Sequence, residues 1–239
     1  MILEICVDDL RGLKAAIEGG ADRLELCSAL ALGGLTPSSA MIAAAVETGV
    51  PVHAMIRPRG GDFNYDEEEI SLMTRVIDRI AALGVSGVVV GAAIRGNMLD
   101  ELALGALRDA ARGISIVLHR VIDLAPDPVC AARIAAKLGY DFILTSGGTL
   151  SAFDGRHTIS RMVAETSGKL TIIAGSGITP ENAAAVVEEG KVTEIHASAT
   201  GAQPWPEGRV EEFGFANGPR RVTDPLRVAA LRQAISGLM

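Results

Sequence analysis

The chain has 239 residues, 49% of them hydrophobic, 21% charged and 3% aromatic, with a formal net charge of -7. That charge, with no Lys/Arg-rich run, argues against nucleic acid as a partner, because neutralising phosphate needs a basic footprint. No apolar run reaches the ~18 residues of a membrane span. The N-terminus lacks a basic region followed by an apolar stretch, so no signal peptide is expected. Three cysteines without pairing logic, Cys6, Cys27 and Cys130, fit a reducing cytoplasm.

Short apolar or alternating runs recur along the chain at 2–6, 23–27, 52–57, 87–91, 114–119, 142–146, 170–175 and 193–198. The segments between them have helical patterning and recognisable starts. Thr36-Pro37, Thr179-Pro180 and Asp224-Pro225 each place a capping side chain before a proline suited to a first helical position. Asp66 and Glu69 have capping-box spacing, followed by an apolar stripe of Leu72, Met73, Val76, Ile77, Ile80 and Leu83. Gly49, Gly84, Gly113, Gly139, Gly168 and Gly190 stand where helices are expected to close.

Eight strand–helix units without a linker predict one α/β domain over residues 1–239, a (β/α)8 TIM-type barrel. The competing architecture is an open doubly wound sheet, but no G-x-G-x-x-G follows the first strand. One segment breaks the rhythm: residues 203–223, after the eighth strand, carry Trp205, Phe213 and Phe215. A loop of that length at a barrel mouth is either a lid or a segment pinned by aromatic packing.

In a barrel, alternate strand residues face inward and sites form at the C-terminal strand ends. Strands one and two then turn Glu4, Cys6, Glu25 and Cys27 inward. The stretch 52–63, V-H-A-M-I-R-P-R-G-G-D-F, adds His53, Met55 and Arg57 on one face before Pro58 and Gly60-Gly61 turn the backbone, leaving Arg59 and Asp62 nearby. Strand five ends in His119-Arg120 with Asp123 following, and strand eight offers His196 and Ser198. Ionisable groups aimed inward must pair or serve chemistry.

Two chemistries compete for these residues. Cys6 and Cys27 with Met55 are soft donors of the kind that select Cu(I), although small buried cysteines also pack as apolar residues. Alternatively, Glu4, Glu25, His53, His119 and Asp123 supply acid–base groups. Arg57, Arg59, Arg120 and His196 would then hold a small anionic substrate, phosphorylated ones included. The turns at Ser146-Gly147 and Gly175–Gly177 can expose N–H groups to an anion, or can merely allow tight turns. No G-x-S-x-G element supports a nucleophilic serine.

The runs L-E-I-C (3–6), G-G-A-D-R-L-E-L-C (19–27), G-G-L-T-P-S (33–38), H-A-M-I-R-P-R-G-G-D-F (53–63), H-R-V-I-D (119–123), L-T-S-G-G (144–148) and H-A-S-A (196–199) resemble the CutC family. The resemblance extends from residue 3 to about 200 and returns at 221–224. It implies a cytoplasmic (β/α)8 protein, a homodimer or higher homo-oligomer, with a role in copper homeostasis and Cys6 and Cys27 as Cu(I) ligands. That role leaves Glu4, Glu25, His53, Arg57, Arg59, His119, Arg120 and Asp123 without a task. The alternative therefore stays open: an enzyme of unidentified reaction acting on a small anion.

Overall fold

Each expected run becomes a strand, trimmed or extended by one or two residues. In the computed structural model, which describes residues 1–216 and 218–238, these are β1 (Ile2–Val7), β2 (Arg23–Leu26), β3 (Val52–Met55), β4 (Gly87–Val90), β5 (Ser115–Leu118), β6 (Phe142–Thr145), β7 (Thr171–Gly175) and β8 (Glu194–Ala197). All pair in parallel and in chain order, and β1 closes the barrel against β8. The register sets Glu4 level with both Arg23 and His196, Cys6 level with Glu25, and Glu25 level with His53.

A helix follows each strand: Leu10–Glu18, Ser39–Val46, Glu67–Ala81, Glu101–Ala110, Pro128–Lys137, Ala152–Thr166, Ala183–Gly190 and Pro225–Ala234. The capping box forms as expected. Asp66 accepts from the Glu69 N–H at 2.8 Å, and Glu69 accepts from the Asp66 N–H at 3.1 Å. Asp224 likewise caps the last helix. Two other starts differ. Thr36 is not a cap, because its hydroxyl bonds the backbone of Arg57, and Ser38 caps that helix instead. After Thr179-Pro180 the chain makes a turn, held by the Thr179 N–H on the Asn182 side-chain oxygen, and the helix begins only at Ala183. Its left-handed closing residue is Lys191 (φ 58°), one past Gly190.

Two apolar clusters result. The larger lies between the strands and the helices and takes Leu3, Ile5, Leu24, Leu26, Val52, Ala54 and Ile56 from the first three strand regions. The smaller fills the barrel itself with Cys27, Met55, Val89, Val117, Leu144 and Ile173, one residue each from β2 to β7 or the position just after. Strands β8 and β1 add nothing to it. Their inward positions include Glu4, Cys6, Glu194 and His196, so one sector of the interior is polar.

The segment after β8 is more ordered than a loop. Thr200–Gln203 pairs antiparallel with Arg220–Thr223, a ribbon that satisfies its own backbone groups. A helical turn, Arg209–Glu212, sits between the two strands. Trp205 donates to the Gly218 carbonyl at 3.0 Å, while Phe213 and Phe215 stay exposed. Among the described residues, no helix is long and apolar enough to cross a membrane.

Candidate active site

The polar sector is organised by Glu4. One carboxylate oxygen accepts from Arg23 Nε at 2.5 Å, and the other accepts from His196 Nδ1 at 2.8 Å. His53 Nδ1 lies 3.4 Å from the Arg23-bound oxygen. Arg23 also reaches Glu194 at 2.5 Å and stacks over the Phe142 ring at 5.1 Å. Burial opposes charge on Glu4, but the hydrogen bond from His196, the nearby His53 ring and the Arg23 guanidinium together hold its carboxyl well below the usual carboxylate range. Burial also disfavours the His196 imidazolium. The charges of Glu25 and Cys6 and the bonds to Cys6 and Glu4 outweigh it, and His196 sits well above the ordinary histidine range.

Glu25 stands beside this network and is handled differently. Its Oε1 accepts from the Cys27 thiol at 3.6 Å and lies 4.0 Å from His196 Nε2. Its Oε2 is buried without a hydrogen-bond partner among the described residues. Burial pushes this carboxyl up, with the Glu4 charge adding to the effect. Glu4, Glu25 and His196 offer ligand atoms within 4.8 Å of one another, the one such grouping of three among the described residues. Arg23 and His196 already engage both Glu4 oxygens.

His119 presents a second orphaned atom. It accepts the Val121 N–H at Nδ1 (3.1 Å), which leaves the proton on Nε2, and Nε2 is buried with no partner among the described residues. The ring lies across Gly91, where a Cβ would collide with it, and tilts against Phe63 at 4.8 Å. Burial and then the nearby Arg57 charge lower its pKa to about 3, so the ring is neutral across the physiological range.

The remaining expected residues separate by partner. Arg57 donates to the carbonyls of Leu32, Gly34 and Gly61 and stacks on Phe63 at 4.9 Å, tying the loops after β2 and β3 together. Arg59 turns outward to Glu69, Asp62 and Tyr65. Asp123 is fully engaged: it accepts from Arg120, Thr145, Ser146 and the Gly148 N–H. The N–H groups of Ser146 and Gly147 are likewise taken, by Asp123 and by the Thr145 hydroxyl. That turn is built to hold itself, not an anion. Gly175 packs against Leu144 and His196.

Cys6 and Cys27 are offset by one inward position, since Cys6 is level with Glu25. At ~3.3 Å per residue and ~4.8 Å between strands, their Cα atoms are about 8 Å apart. Burial, with the charges of Glu25 and Cys6 behind it, pushes the Cys27 thiol well up, so it is protonated at neutral pH. Met55 shares the apolar cluster with Cys27.

Above β7 and β8 opens a cleft of about 810 Å³, with Cys6 and His196 among its lining and Arg120, Ser176, Gly177, Ser198, Ala199, Arg221 and Arg227 around it. Arg23 and Glu194 are legible by parity, sharing a face with Glu25 and His196. Arg221 and Arg227 have no such signal, because the ribbon brings the first to the mouth and the start of the last helix brings the second.

The comparisons with known proteins agree with this architecture. The CutC family model matches residues 1–201. A CutC family protein of Sinorhizobium medicae is 44% identical over 238 residues, covering 100% of this chain and 97% of that protein. One from Rhizobium meliloti is 46% identical over 230 residues, covering 96% and 94%. The crystal structure of CutC from Streptococcus agalactiae superposes with a TM-score of 0.78 at 30% identity, covering 83% of this chain and 98% of that one. A polar sector centred on β8, β1 and β2, a barrel closed in chain order and relatives aligned end to end lead to one assignment: the chain belongs to the CutC family.

Proposed function

We propose that this protein is a barrel enzyme that transfers a proton on a small anionic substrate at its C-terminal mouth. The observation that carries the reading is that Glu25 Oε2 and His119 Nε2 are both buried without a hydrogen-bond partner among the described residues, a state they share with His53 Nδ1 and Arg57 Nε at the same site. Such atoms are costly unless something meets them, and the first two differ in kind. A carboxyl raised by burial is a better base when ionised and a usable acid when protonated. A neutral imidazole carrying its proton on Nε2 is a hydrogen-bond donor suited to an oxygen that gains negative charge. Glu25 would take a proton from a carbon next to a carbonyl, and His119 would donate to the carbonyl oxygen. His196, held by Glu4 and 4.0 Å from Glu25, would exchange that proton onward. Arg57, Asp123 and Ser146 act as positioning residues.

The test is exchange of substrate C–H for deuterium from solvent, followed by proton NMR across a panel of small keto and aldehydo carboxylates and phosphates. A compound that exchanges with wild type and not with Glu25→Gln supports the reading, as does slowing in His119→Phe. Exchange unchanged in Glu25→Gln would refute it.

A second reading is favoured by the soft donors. Cys6, Cys27 and Met55 lie on neighbouring strand ends, and the Streptococcus relative carries a copper-homeostasis name. Under this reading the protein handles Cu(I) in the cytoplasm, with thiolate and thioether ligation. Copper would have to displace the Cys27 proton and draw together strands offset by one position. An anaerobic Cu(I) competition titration on wild type and on Cys6→Ser/Cys27→Ser decides it: stoichiometric binding lost in the variant supports copper handling, and binding unchanged by the variant excludes these thiols.

A further inference from the structure

The cleft beside His196 gives the anionic substrate a specific chemical form. Two backbone bends border it: Ser176 (φ 84°) with Gly177 (φ 67°) after β7, and Ala199 (φ 47°) after β8. Left-handed backbone is unfavourable for Ser and Ala and persists where the surroundings impose it, often at sites. The N–H groups of Gly177 and Ala199 have no backbone acceptor among the described residues. Successive bends of this type form concavities that bind anions.

The ribbon, the last helix and the turn after β5 supply the charge. Arg221 Nε and Nη2 both donate to the Thr200 hydroxyl, at 3.0 and 2.8 Å, and the guanidinium has no carboxylate partner among the described residues. Arg227 is no closer than 3.9 Å to Asp224. Arg120, held by Asp123 and Ser146, faces the same space. Three guanidiniums and one carboxylate, Glu181, therefore line a cleft in a chain whose net charge is -7. Asp123 is paired to Arg120 and Asp224 lies beside Arg227, while Arg221 has no carboxylate of its own among the described residues. A planar, singly charged carboxylate is matched by one guanidinium fork. Here donors come from three separate elements, which suits a tetrahedral group carrying close to two negative charges at neutral pH. The volume is that of a small-molecule site, and the same end of other barrels commonly holds phosphate.

The geometry points to a phosphomonoester as the substrate class, with its phosphate seated between Gly177, Ala199 and Arg221 and flanked by Arg227 and Arg120. This rests on the reading of the mouth as an active site. A phosphate held there leaves the rest of the molecule beside His196, and through it Glu25. Arg221 and Arg227 lie beyond residue 201, where the family match ends, so they would set specificity in this chain.

Inorganic phosphate is the probe, titrated calorimetrically into the full chain at fixed ionic strength, with acetate as the comparison anion. Wild type should bind phosphate saturably and in preference to acetate. Arg221→Met should weaken binding roughly tenfold or more, the loss expected for one charge-assisted contact, and Arg221→Lys should recover part of it. Arg112→Met, at an exposed pair with Asp109 far from the cleft, should change nothing. Glu25→Gln should keep phosphate binding, so deuterium exchange that survives this variant would refute the acid–base reading alone. No saturable binding by wild type, or equal binding by the folded Arg221→Met/Arg227→Met variant, overturns the phosphate site.

Discussion

Replacing Arg23 with Met tests the buried network at its centre. The Arg23 side chain is 9% exposed and bridges Glu4, 2% exposed, to Glu194, 12% exposed, at 2.5 Å each. Met keeps much of the volume beside Phe142 but leaves two carboxylates facing one another inside the barrel. Removing one partner of a buried ion pair costs about 3–5 kcal/mol, because the charge left behind is desolvated and unpaired. In a domain of this size ~1 kcal/mol moves the melting midpoint by ~2–4 °C, so the expected fall at pH 7 is roughly 6–20 °C. The pH dependence has a definite sign. The Glu4 carboxyl is depressed in the folded protein, so its contribution to stability is present above the unfolded carboxylate value and is lost as pH falls through the folded one. Arg23→Met removes one of the groups that depress it, so the gap between wild type and variant should be widest near neutrality and narrow in acid, as the carboxylates take up protons. Urea and thermal unfolding followed by circular dichroism, near neutrality and in mild acid, measure both effects. A loss below ~1 kcal/mol, or a gap that widens in acid, would refute the reasoning. Arg23→Met/Glu4→Gln/Glu194→Gln should regain part of the loss, since it leaves no unpaired charge.

Gly91→Ala should displace the His119 ring, which occupies the space of the missing Cβ; calorimetry should register a loss of about 1–3 kcal/mol, typical of an overpacked core. Asp66→Ala removes the capping box of the Glu67–Ala81 helix and should cost about 0.5–2 kcal/mol in urea unfolding, with the interior untouched. His196 titrates above the ordinary histidine value, so its stabilisation is complete below about pH 6.5 and fades as pH rises through the folded value. His196→Asn should therefore flatten the alkaline limb of a plot of urea midpoint against pH.

The barrel was legible because parallel strands buried on both faces and capped amphipathic helices alternate without interruption. Parity alone placed Glu4, Glu25, His53 and His196 in one interior. Parity says nothing of partners, however. That Arg57 is occupied by three loop carbonyls, or that Asp123 closes a turn, depends on backbone brought together from distant segments. The stretch 203–223 hid its ribbon because Thr200–Gln203 and Arg220–Thr223 are short and polar, with little apolar alternation to announce them. Arg221 stayed out of reach for the same reason, and Arg227 because its helix start is expected but not which face of it meets the mouth. The caps at Thr36 and Thr179 misled because each motif satisfied the pattern of a helix start while another partner engaged the threonine: the backbone of Arg57 from the next strand for Thr36, and the Asn182 side chain three residues on for Thr179.

The distribution of charge inside the barrel bears on how the ring can close at all. Strands β4 to β7 meet mainly through hydrocarbon, which accepts small errors of alignment. The joint between the two ends of the chain is different: Arg23 contacts Glu194 across 171 positions, and Glu4 contacts His196 across 192. Sliding β8 by one inward position would strand a charge in a place with no water to meet it. The last and entropically most distant joint is thus also the least forgiving of misregistration. A ring whose final seam admits a single alignment proofreads its own closure.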